Sequence, residues 1–222
     1  MRPEAPGSGP GIRPPRGPGG PTLTFVLPAI GKKKGQKYIG TWKMEPLTLA
    51  VLRAMVPPGV RVTFFDDRLE RVDTDRPTDA VLIPVETYTA RRAYALAGRF
   101  RQRGARVVLG GYHVTLQPDE AAQHADALVL GNAEAVLPTL LDDLWGGRLQ
   151  PRYHGEVGYS RVPPDTSLYA GKRYLPVSLV ETGRGCPHRC EFCAIAGYYG
   201  RHYHPRPLAD ILRDLKNARH RR

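Results

Sequence analysis

Short apolar runs that alternate with helical patterns restrict the fold of this sequence more than any other feature. The apolar runs lie at 22–28, 60–65, 79–85, 106–109 and 127–130, and helical patterns separate them at 45–55, 89–103, 118–124 and 133–144. Runs that are apolar throughout are typical of strands buried on both faces, and strand–helix alternation is typical of parallel βαβ units. The sequence therefore predicts a doubly wound, flavodoxin-like α/β domain with an open parallel sheet at 22–148.

The chain on either side of this region has a different composition. Residues 1–21 are almost all proline, glycine and arginine, which bury too little surface to offset the entropy of ordering, so we expect a disordered tail. Residues 149–178 hold four prolines and little periodicity, which predicts a linker over the surface. A further strand at 175–183 and a further helix at 207–218 predict one β-loop-α unit of a second, incomplete domain at 179–222.

Composition narrows the function classes. No apolar run reaches the roughly 18 residues of a transmembrane helix, and the N-terminus lacks the apolar core of a secretory signal. The net charge of +12 raises nucleic acid as a partner, but the basic clusters at 32–34, 91–92 and 219–222 carry no nucleic-acid-binding signature. We interpret them as solvated surface charge, which makes nucleic acid an unfavoured partner. An odd number of cysteines favours a reducing, cytoplasmic setting.

All three cysteines stand within eight positions, in the stretch CPHRCEFC at 186–193. A 4Fe–4S cluster usually takes four protein thiolates, so three would leave one iron with an open coordination position, which usually serves chemistry. A zinc site that adds His188, His202 or His204 to the cysteines is a second interpretation. Three ordinary buried cysteines are a third.

The stretch CPHRCEFC resembles the CxxxCxΦC signature of the radical S-adenosylmethionine (SAM) enzymes, in which Φ is aromatic. The resemblance implies a 4Fe–4S cluster on Cys186, Cys190 and Cys193, with Phe192 beside the cluster and SAM. In that family the loop follows the first strand of a (β/α) barrel, and the open iron binds SAM. One-electron reduction then gives a 5′-deoxyadenosyl radical that abstracts hydrogen from the substrate. The family's chemistry also implies an electron donor such as flavodoxin or ferredoxin.

Small and polar residues follow the predicted strands, where ligands of open α/β sheets bind. The stretch VVLGGYHVTLQPDEAAQHADALVLGNAEAV at 107–136 is similar to the cobalamin-binding domain of the cobalamin-dependent radical SAM enzymes, in its glycine pair, its histidine and its Gly-x-x-Glu. The resemblance implies cobalamin across these strand ends, with its nucleotide tail near the glycine pair and the 86–89 turn. The implied contacts are Glu86, Thr87, Thr89, Gly110, Gly111, His113, Gly131 and Glu134.

The sequence lacks one motif that supplies a cobalt ligand in another class of cobalamin domain. Cobalamin domains of the methionine-synthase kind carry Asp-x-His-x-x-Gly, whose histidine ligates cobalt, and the loop after the first strand here lacks it. His113 follows the fourth strand and does not take that role. Singly, these residues have plain structural interpretations: a tight turn for Gly110 and Gly111, a solvated loop histidine for His113, and a charge at a helix N-terminus for Glu134.

The resemblance implies methyl transfer from methylcobalamin to an unactivated carbon of a small molecule, natural product or lipid. Oxidation, ring formation, and methylthiolation of RNA without cobalamin remain alternatives within the same superfamily. A non-catalytic ligand-binding module with a zinc knuckle is an alternative from another class. No catalytic residue beyond the cysteine site is assigned. A (β/α) barrel needs about 200 residues or more, so we expect a C-terminally truncated chain that binds cofactors without turnover.

Overall fold

A computed structural model describes residues 19–30 and 43–218, and the fold is given for those ranges. The disordered tail predicted at 1–21 lies outside the described residues except for 19–21. The basic clusters at 32–34 and 219–222 lie outside them as well.

Six strands form one sheet. They are β1 (Thr22–Leu27), β2 (Arg61–Asp66), β3 (Ala80–Pro84), β4 (Arg106–Gly110), β5 (Ala127–Gly131) and β6 (Arg152–Gly155). Their order is β2–β1–β3–β4–β5–β6, and every neighbouring pair is parallel. The chain runs from β1 to β2 on one side and returns to β3 on the other, so the strand order reverses between β1 and β3. Open α/β sheets bind ligands beyond the carboxyl ends of strands at such a reversal.

Helices cover both faces of this sheet. Helices α1 (Leu47–Ala54) and α5 (Ala133–Gly146) lie on one face, and α2 (Ala90–Gln102), α3 (Tyr112–Leu116) and α4 (Pro118–Ala122) lie on the other. Successive side chains of a strand point to opposite faces, so Leu82 of β3 packs with the first group and Val81 and Ile83 with the second. The predicted doubly wound α/β fold is confirmed. None of the helices in the described ranges is long and apolar enough to cross a membrane.

Residues 149–178 were predicted to form a linker over the surface. That prediction is wrong for 152–155, which form β6 of the sheet. Strand β6 lies at the edge of the sheet with the sequence RYHG, and only Tyr153 is buried, so it has no apolar run to reveal it. The same segment also reaches the core, since Tyr169 is 1% exposed and packs edge-on against Phe64 at 6.0 Å.

The strand predicted at 175–183 is also wrong. Close to it in the sequence, β7 (Gly183–Gly185) pairs with β8 (Tyr203–Pro205) in antiparallel fashion. Within the described ranges no parallel neighbour lies beside 175–182, and Leu175, Val177 and Leu179 are each about 40% exposed. A strand forms only where a partner satisfies its backbone. Helix α7 (Leu208–Asn217) confirms the predicted final helix, and α6 (Ala194–Tyr199) was not predicted.

Candidate functional site

A cleft opens at the carboxyl ends of β3, β4 and β5, between α1 and α5, and holds about 190 Å³ of space. Its apolar floor consists of Leu49, Leu52, Leu82, Val108, Val129 and Leu137. Its rim consists of Glu86, Gly110, Gly111, Tyr112, Gly131, Asn132, Glu134, Glu181, Arg184, Tyr198 and Tyr199. Five of the predicted cobalamin contacts, Glu86, Gly110, Gly111, Gly131 and Glu134, are therefore brought together here.

Two glycines of the rim are required by the backbone around them. Gly111 has φ +99°, and a Cβ there would lie 2.9 Å from the carbonyl oxygen of Val85. Gly131 has φ +81°, and a Cβ there would lie 2.2 Å from the carbonyl oxygen of Gly155. Both positions are strained for any other residue. These glycines therefore allow neighbouring strand ends to approach closely, which gives the mouth of the cleft its shape.

Three predicted contacts, His113, Thr87 and Thr89, do not line the cleft. His113 is 6% exposed, on the side of the sheet that α2 and α4 cover, so it is not a solvated loop residue. Its Nδ1 lies 3.2 Å from Thr87 Oγ1, and its Nε2 lies 3.4 Å from Glu120 Oε1. The Thr89 hydroxyl accepts a hydrogen bond from the Glu86 N–H at 3.1 Å and closes the turn before α2.

Glu86 is the carboxylate that this turn holds at the rim. Its side chain accepts a hydrogen bond from the backbone N–H of Thr89, which makes a reciprocal capping arrangement. Burial raises the pKa of Glu86, and the nearby His113 offsets that rise only in part. The protonated carboxyl is therefore more favoured here than in water.

Arg184 joins the cysteine segment to the sheet and was not predicted from the sequence. Its guanidinium donates hydrogen bonds to Glu134 Oε1 at 2.5 Å and to Asn132 Oδ1 at 2.8 Å, both just after β5. It also donates to both carboxylate oxygens of Glu181 and to the carbonyl of Gly158. Burial alone would lower the pKa of Arg184, but these hydrogen bonds outweigh it and hold the pKa above its usual value. We call these five residues the Arg184 cluster.

Three tyrosines form a second contact between the cysteine segment and the sheet. Tyr198 and Tyr199 belong to α6, and Tyr112 follows the glycine pair. The ring of Tyr112 lies 4.6 Å from that of Tyr198, and the rings of Tyr198 and Tyr199 lie 4.7 Å apart. Burial raises the pKa of both α6 phenols, so they stay protonated at neutral pH. The helix after the cysteine motif thus forms one wall of the cleft.

The three cysteines are free thiols on the surface loop between β7 and α6. Cys186 and Cys193 are half-buried, Cys190 is exposed, and the N–H of Cys193 donates to the carbonyl of Cys190 at 3.1 Å. Phe192 is 93% exposed. Among residues 19–30 and 43–218, no three Cys, His, Asp or Glu side chains are gathered closely enough to hold a metal ion.

The sequence is similar to those of several methyltransferases, although no protein-family model matches it. It is 34% identical over 170 residues to the bacteriochlorophyllide d C-8(2)-methyltransferase of Chlorobaculum tepidum, which covers 71% of this chain and 37% of that protein. It is 28% identical over 180 residues to the C-12(1)-methyltransferase of the same organism, which covers 77% and 40%. The hopanoid C-2 methylase of Rhodopseudomonas palustris is 27% identical over 180 residues, with 78% and 34% covered.

The chain belongs to the cobalamin-dependent radical SAM enzymes. The three relatives align over 71–78% of it. The chain spans about 40% or less of the length of each of the three relatives.

The chemistry of the residues present can be compared with the two groups that define this radical SAM subgroup, the iron–sulfur cluster and cobalamin. Three thiols within eight positions have the donor chemistry that an iron–sulfur cluster with one open iron would need, although the loop as described does not gather them around one point. The cleft is smaller than the roughly 300–1,000 Å³ of most small-molecule sites, so it has room for only a part of a large cofactor such as cobalamin. Its apolar floor suits the base of a nucleotide tail, and its polar rim suits amide groups.

Proposed function

We propose that this chain is the cobalamin-binding and cluster-binding region of an enzyme that methylates an unactivated carbon of a small molecule or lipid. Three of its relatives are named for C-methylation of bacteriochlorophyllide or hopanoid substrates. Those names favour methyl transfer over oxidation, ring formation or methylthiolation. They also disfavour a non-catalytic zinc module, because each relative is named as an enzyme.

The observation that carries this proposal is the shared wall between the cleft and the cysteine segment. Glu181 and Arg184 precede the cysteines, Tyr198 and Tyr199 follow them, and all four line the cleft. A cofactor seated at the strand ends and a cluster held by the loop would therefore be neighbours. Such proximity is what a reaction that uses both groups requires.

Each part of the site has a proposed task. Cys186, Cys190 and Cys193 hold the cluster, and Phe192 covers it and SAM. When bound, the cluster and cobalamin supply one-electron cleavage of SAM and a transferable methyl group. The Glu86 carboxyl binds amide groups of cobalamin at the rim, while Gly110, Gly111, Gly131 and Glu134 shape the mouth. Thr87, Thr89 and His113 act behind the rim by holding Glu86.

The proposed domain organisation follows the sheet. The cobalamin-binding domain spans 22–155, because β6 belongs to it, and the radical SAM segment spans 179–222. The connection between them, 156–178, is partly packed against the core through Tyr169. We also propose a reducing, cytoplasmic setting for the free cysteines, and a one-electron donor of the flavodoxin or ferredoxin type as partner.

Hydroxocobalamin binding tests the assignment of the cleft. Ala133 lines the cleft at the start of α5, so Ala133→Leu fills part of it, whereas Ala122→Leu adds the same atoms at an exposed position of α4. Equilibrium dialysis followed by cobalamin absorbance should show binding by the wild-type chain and by Ala122→Leu. It should show at least tenfold weaker binding by Ala133→Leu. Equal affinity of the two variants would remove cobalamin from this cleft, and no binding by the wild-type chain would refute the proposal.

A further inference from the structure

Every donor of the Arg184 guanidinium is used. A guanidinium has five N–H donors, and Arg184 makes five hydrogen bonds of 2.5–2.9 Å to four residues. Its side chain is 12% exposed, and the Tyr159 ring lies 4.8 Å from its central carbon. A side chain with no donor left does not bind a substrate directly. Its hydrogen bonds instead fix the position of the backbone that carries it.

The partners of Arg184 lie on three segments that meet at the cleft. Asn132 and Glu134 follow β5, Gly158 follows β6, and Glu181 precedes β7. The first cysteine of the motif is two residues beyond Arg184. Cys186 is therefore tied to the sheet at one end of its loop, while the tyrosines of α6 tie the loop at the other end.

Gly185, the residue between Arg184 and Cys186, is held tightly by the backbone around it. Gly185 has φ +82°, and a Cβ there would lie 2.0 Å from the carbonyl oxygen of His202. Strands β7 and β8 pair directly across this point, with Arg184 opposite His204. A displacement of the Arg184 backbone is therefore passed to the cysteine loop rather than absorbed by a flexible joint.

We propose that Arg184 is a positioning residue that couples the cysteine loop to the cofactor cleft, an inference that rests on the proposed function. Three of its partners, Asn132, Glu134 and Glu181, line the cleft, so cobalamin in the cleft and a cluster on the loop would order the same residues. Each group then binds more tightly when the other is present, because the ordering cost is met once. The coupling is reciprocal, as linkage requires.

Lysine cannot replace Arg184 in this role. The guanidinium satisfies both carboxylates at once, and the Glu134 side chain is only 8% exposed. An ammonium keeps the charge but has three donors on a point-like head and cannot span four partners. Arg184→Lys therefore tests geometry rather than charge. Glu134→Gln keeps an oxygen that can accept the hydrogen bond but removes the charge that Arg184 pairs with, and Arg184 stays paired with Glu181, so this variant serves if Arg184→Lys folds poorly.

Arg213 offers a matched control. Its guanidinium also bridges two carboxylates, Asp210 and Asp214, and also donates to a backbone carbonyl, that of Arg161. It belongs to α7 in the same segment, but neither it nor its ion-pair partners line the cleft. Arg213→Gln thus loses ion pairs of the radical SAM segment without touching the Arg184 cluster.

The decisive experiment measures hydroxocobalamin affinity before and after anaerobic cluster reconstitution. In the wild-type chain and in Arg213→Gln, the dissociation constant should fall at least fivefold on reconstitution, within the usual range of coupled sites. In Arg184→Lys and Glu134→Gln, the ratio of the two constants should be close to one. General destabilisation would weaken both states alike and keep the ratio. A ratio that persists in Arg184→Lys, or that is absent from the wild-type chain, overturns the proposal.

Hydrogen exchange separates this proposal from the proposed function. Amides of residues 183–205 should exchange at least tenfold faster in Arg184→Lys than in the wild-type chain, with strands β1, β3 and β4 unchanged. Arg213→Gln should leave 183–205 as in the wild-type chain. Unchanged exchange in Arg184→Lys overturns the positioning role, whether or not cobalamin binds. A further outcome is that the wild-type chain binds no hydroxocobalamin while Arg184→Lys still speeds the exchange of residues 183–205. In that case the proposed function is wrong, and Arg184 still positions the loop but couples it to no cofactor site.

Discussion

At the scale of single residues, Glu86 combines a rigid position with an environment that disfavours its charge. The turn before α2 fixes its backbone through Thr89, and burial raises the pKa of its carboxyl. A carboxyl whose pKa is higher in the folded than in the unfolded state stabilises the fold while it is protonated. That contribution is lost as the pH rises through the folded-state pKa.

Glu86→Gln should therefore gain stability relative to the wild-type chain as the pH rises from about 4 to about 7. The amide keeps the shape of the side chain and has no charge to desolvate. Thermal unfolding followed by circular dichroism at both pH values measures the difference. The control is the same substitution at an exposed position, Glu156→Gln. A constant difference for Glu86→Gln would contradict the burial of this carboxyl.

Gly131 provides a second test at the residue scale. A methyl group at Gly131 would meet the carbonyl of Gly155 at 2.2 Å on a left-handed backbone, so Gly131→Ala should lower the free energy of unfolding by about 1–3 kcal/mol or more. Gly98 lies within α2 with open space around it, so Gly98→Ala should raise that free energy by about 0.5–1 kcal/mol. Urea unfolding compares the two. Equal effects would argue against the close contact of β5 and β6.

At the scale of secondary-structure elements, β6 shows how an edge strand without an apolar run is held. The Tyr153 hydroxyl donates to Asp143 Oδ2 on α5 and accepts from the Gln150 N–H, both at 2.9 Å. Strand β6 thus depends on one buried tyrosine and on its backbone pairing with β5.

Tyr153→Phe should lower the free energy of unfolding by about 1 kcal/mol, because it leaves the carboxylate of Asp143 and the N–H of Gln150 without this partner. The control is Tyr88→Phe at a position that is 67% exposed, where the change should stay within about 0.5 kcal/mol. Denaturant titration of both variants gives the comparison. A Tyr153→Phe chain as stable as wild type would show that the hydroxyl does not hold the edge.

Elements with their own hydrophobic pattern could be predicted from the sequence, and elements defined by partners could not. The strands β1 to β5 and helices α1, α2, α5 and α7 follow from apolar runs and helical periodicity. Strand β6 has only one apolar side chain in four, and the apolar stretch at 175–182 lacks a strand beside it in the described part of the chain. Helix α6 is six residues long, too short for a periodic pattern.

Some residues of the candidate site could likewise be predicted from the sequence, and others could not. Residues at strand ends, such as Glu86 and Glu134, could be placed because strand ends converge in a parallel sheet. His113 follows a strand end too, but its side chain points to the opposite face, which sequence position alone does not determine. Arg184 was missed because three of its four partners lie 26 to 52 residues away, although an arginine between two glycines before the first cysteine is a usable signal.

At the scale of the whole molecule, buried and half-buried tyrosines lie in helix α2, in the connecting segment and at the cleft. Burial raises the pKa of Tyr94 to about 12, and it raises the pKa of Tyr169, Tyr174 and Tyr199 as well. Tyrosines whose pKa is raised on folding contribute stability below their unfolded pKa of about 10, and that stability is lost as the pH rises through the folded values.

The midpoint of thermal unfolding should therefore stay nearly level up to about pH 9.5 and fall steeply above it. Absorbance of the phenolate at alkaline pH should rise in two steps, first for exposed tyrosines and then for those that the fold covers, as the chain unfolds. A single titration step with no loss of the unfolding midpoint would contradict the packing of these rings.

In the proposed function, one loop with three cysteines holds an open-site iron–sulfur cluster beside a cobalamin cleft. The most direct measurement is the iron, sulfide and zinc content of the chain after anaerobic reconstitution with all three present. We predict ~4 iron and ~4 sulfide per chain, lost when Cys186, Cys190 or Cys193 is changed singly to alanine. One zinc per chain without sulfide would contradict the claim and leave a zinc-bound loop in its place.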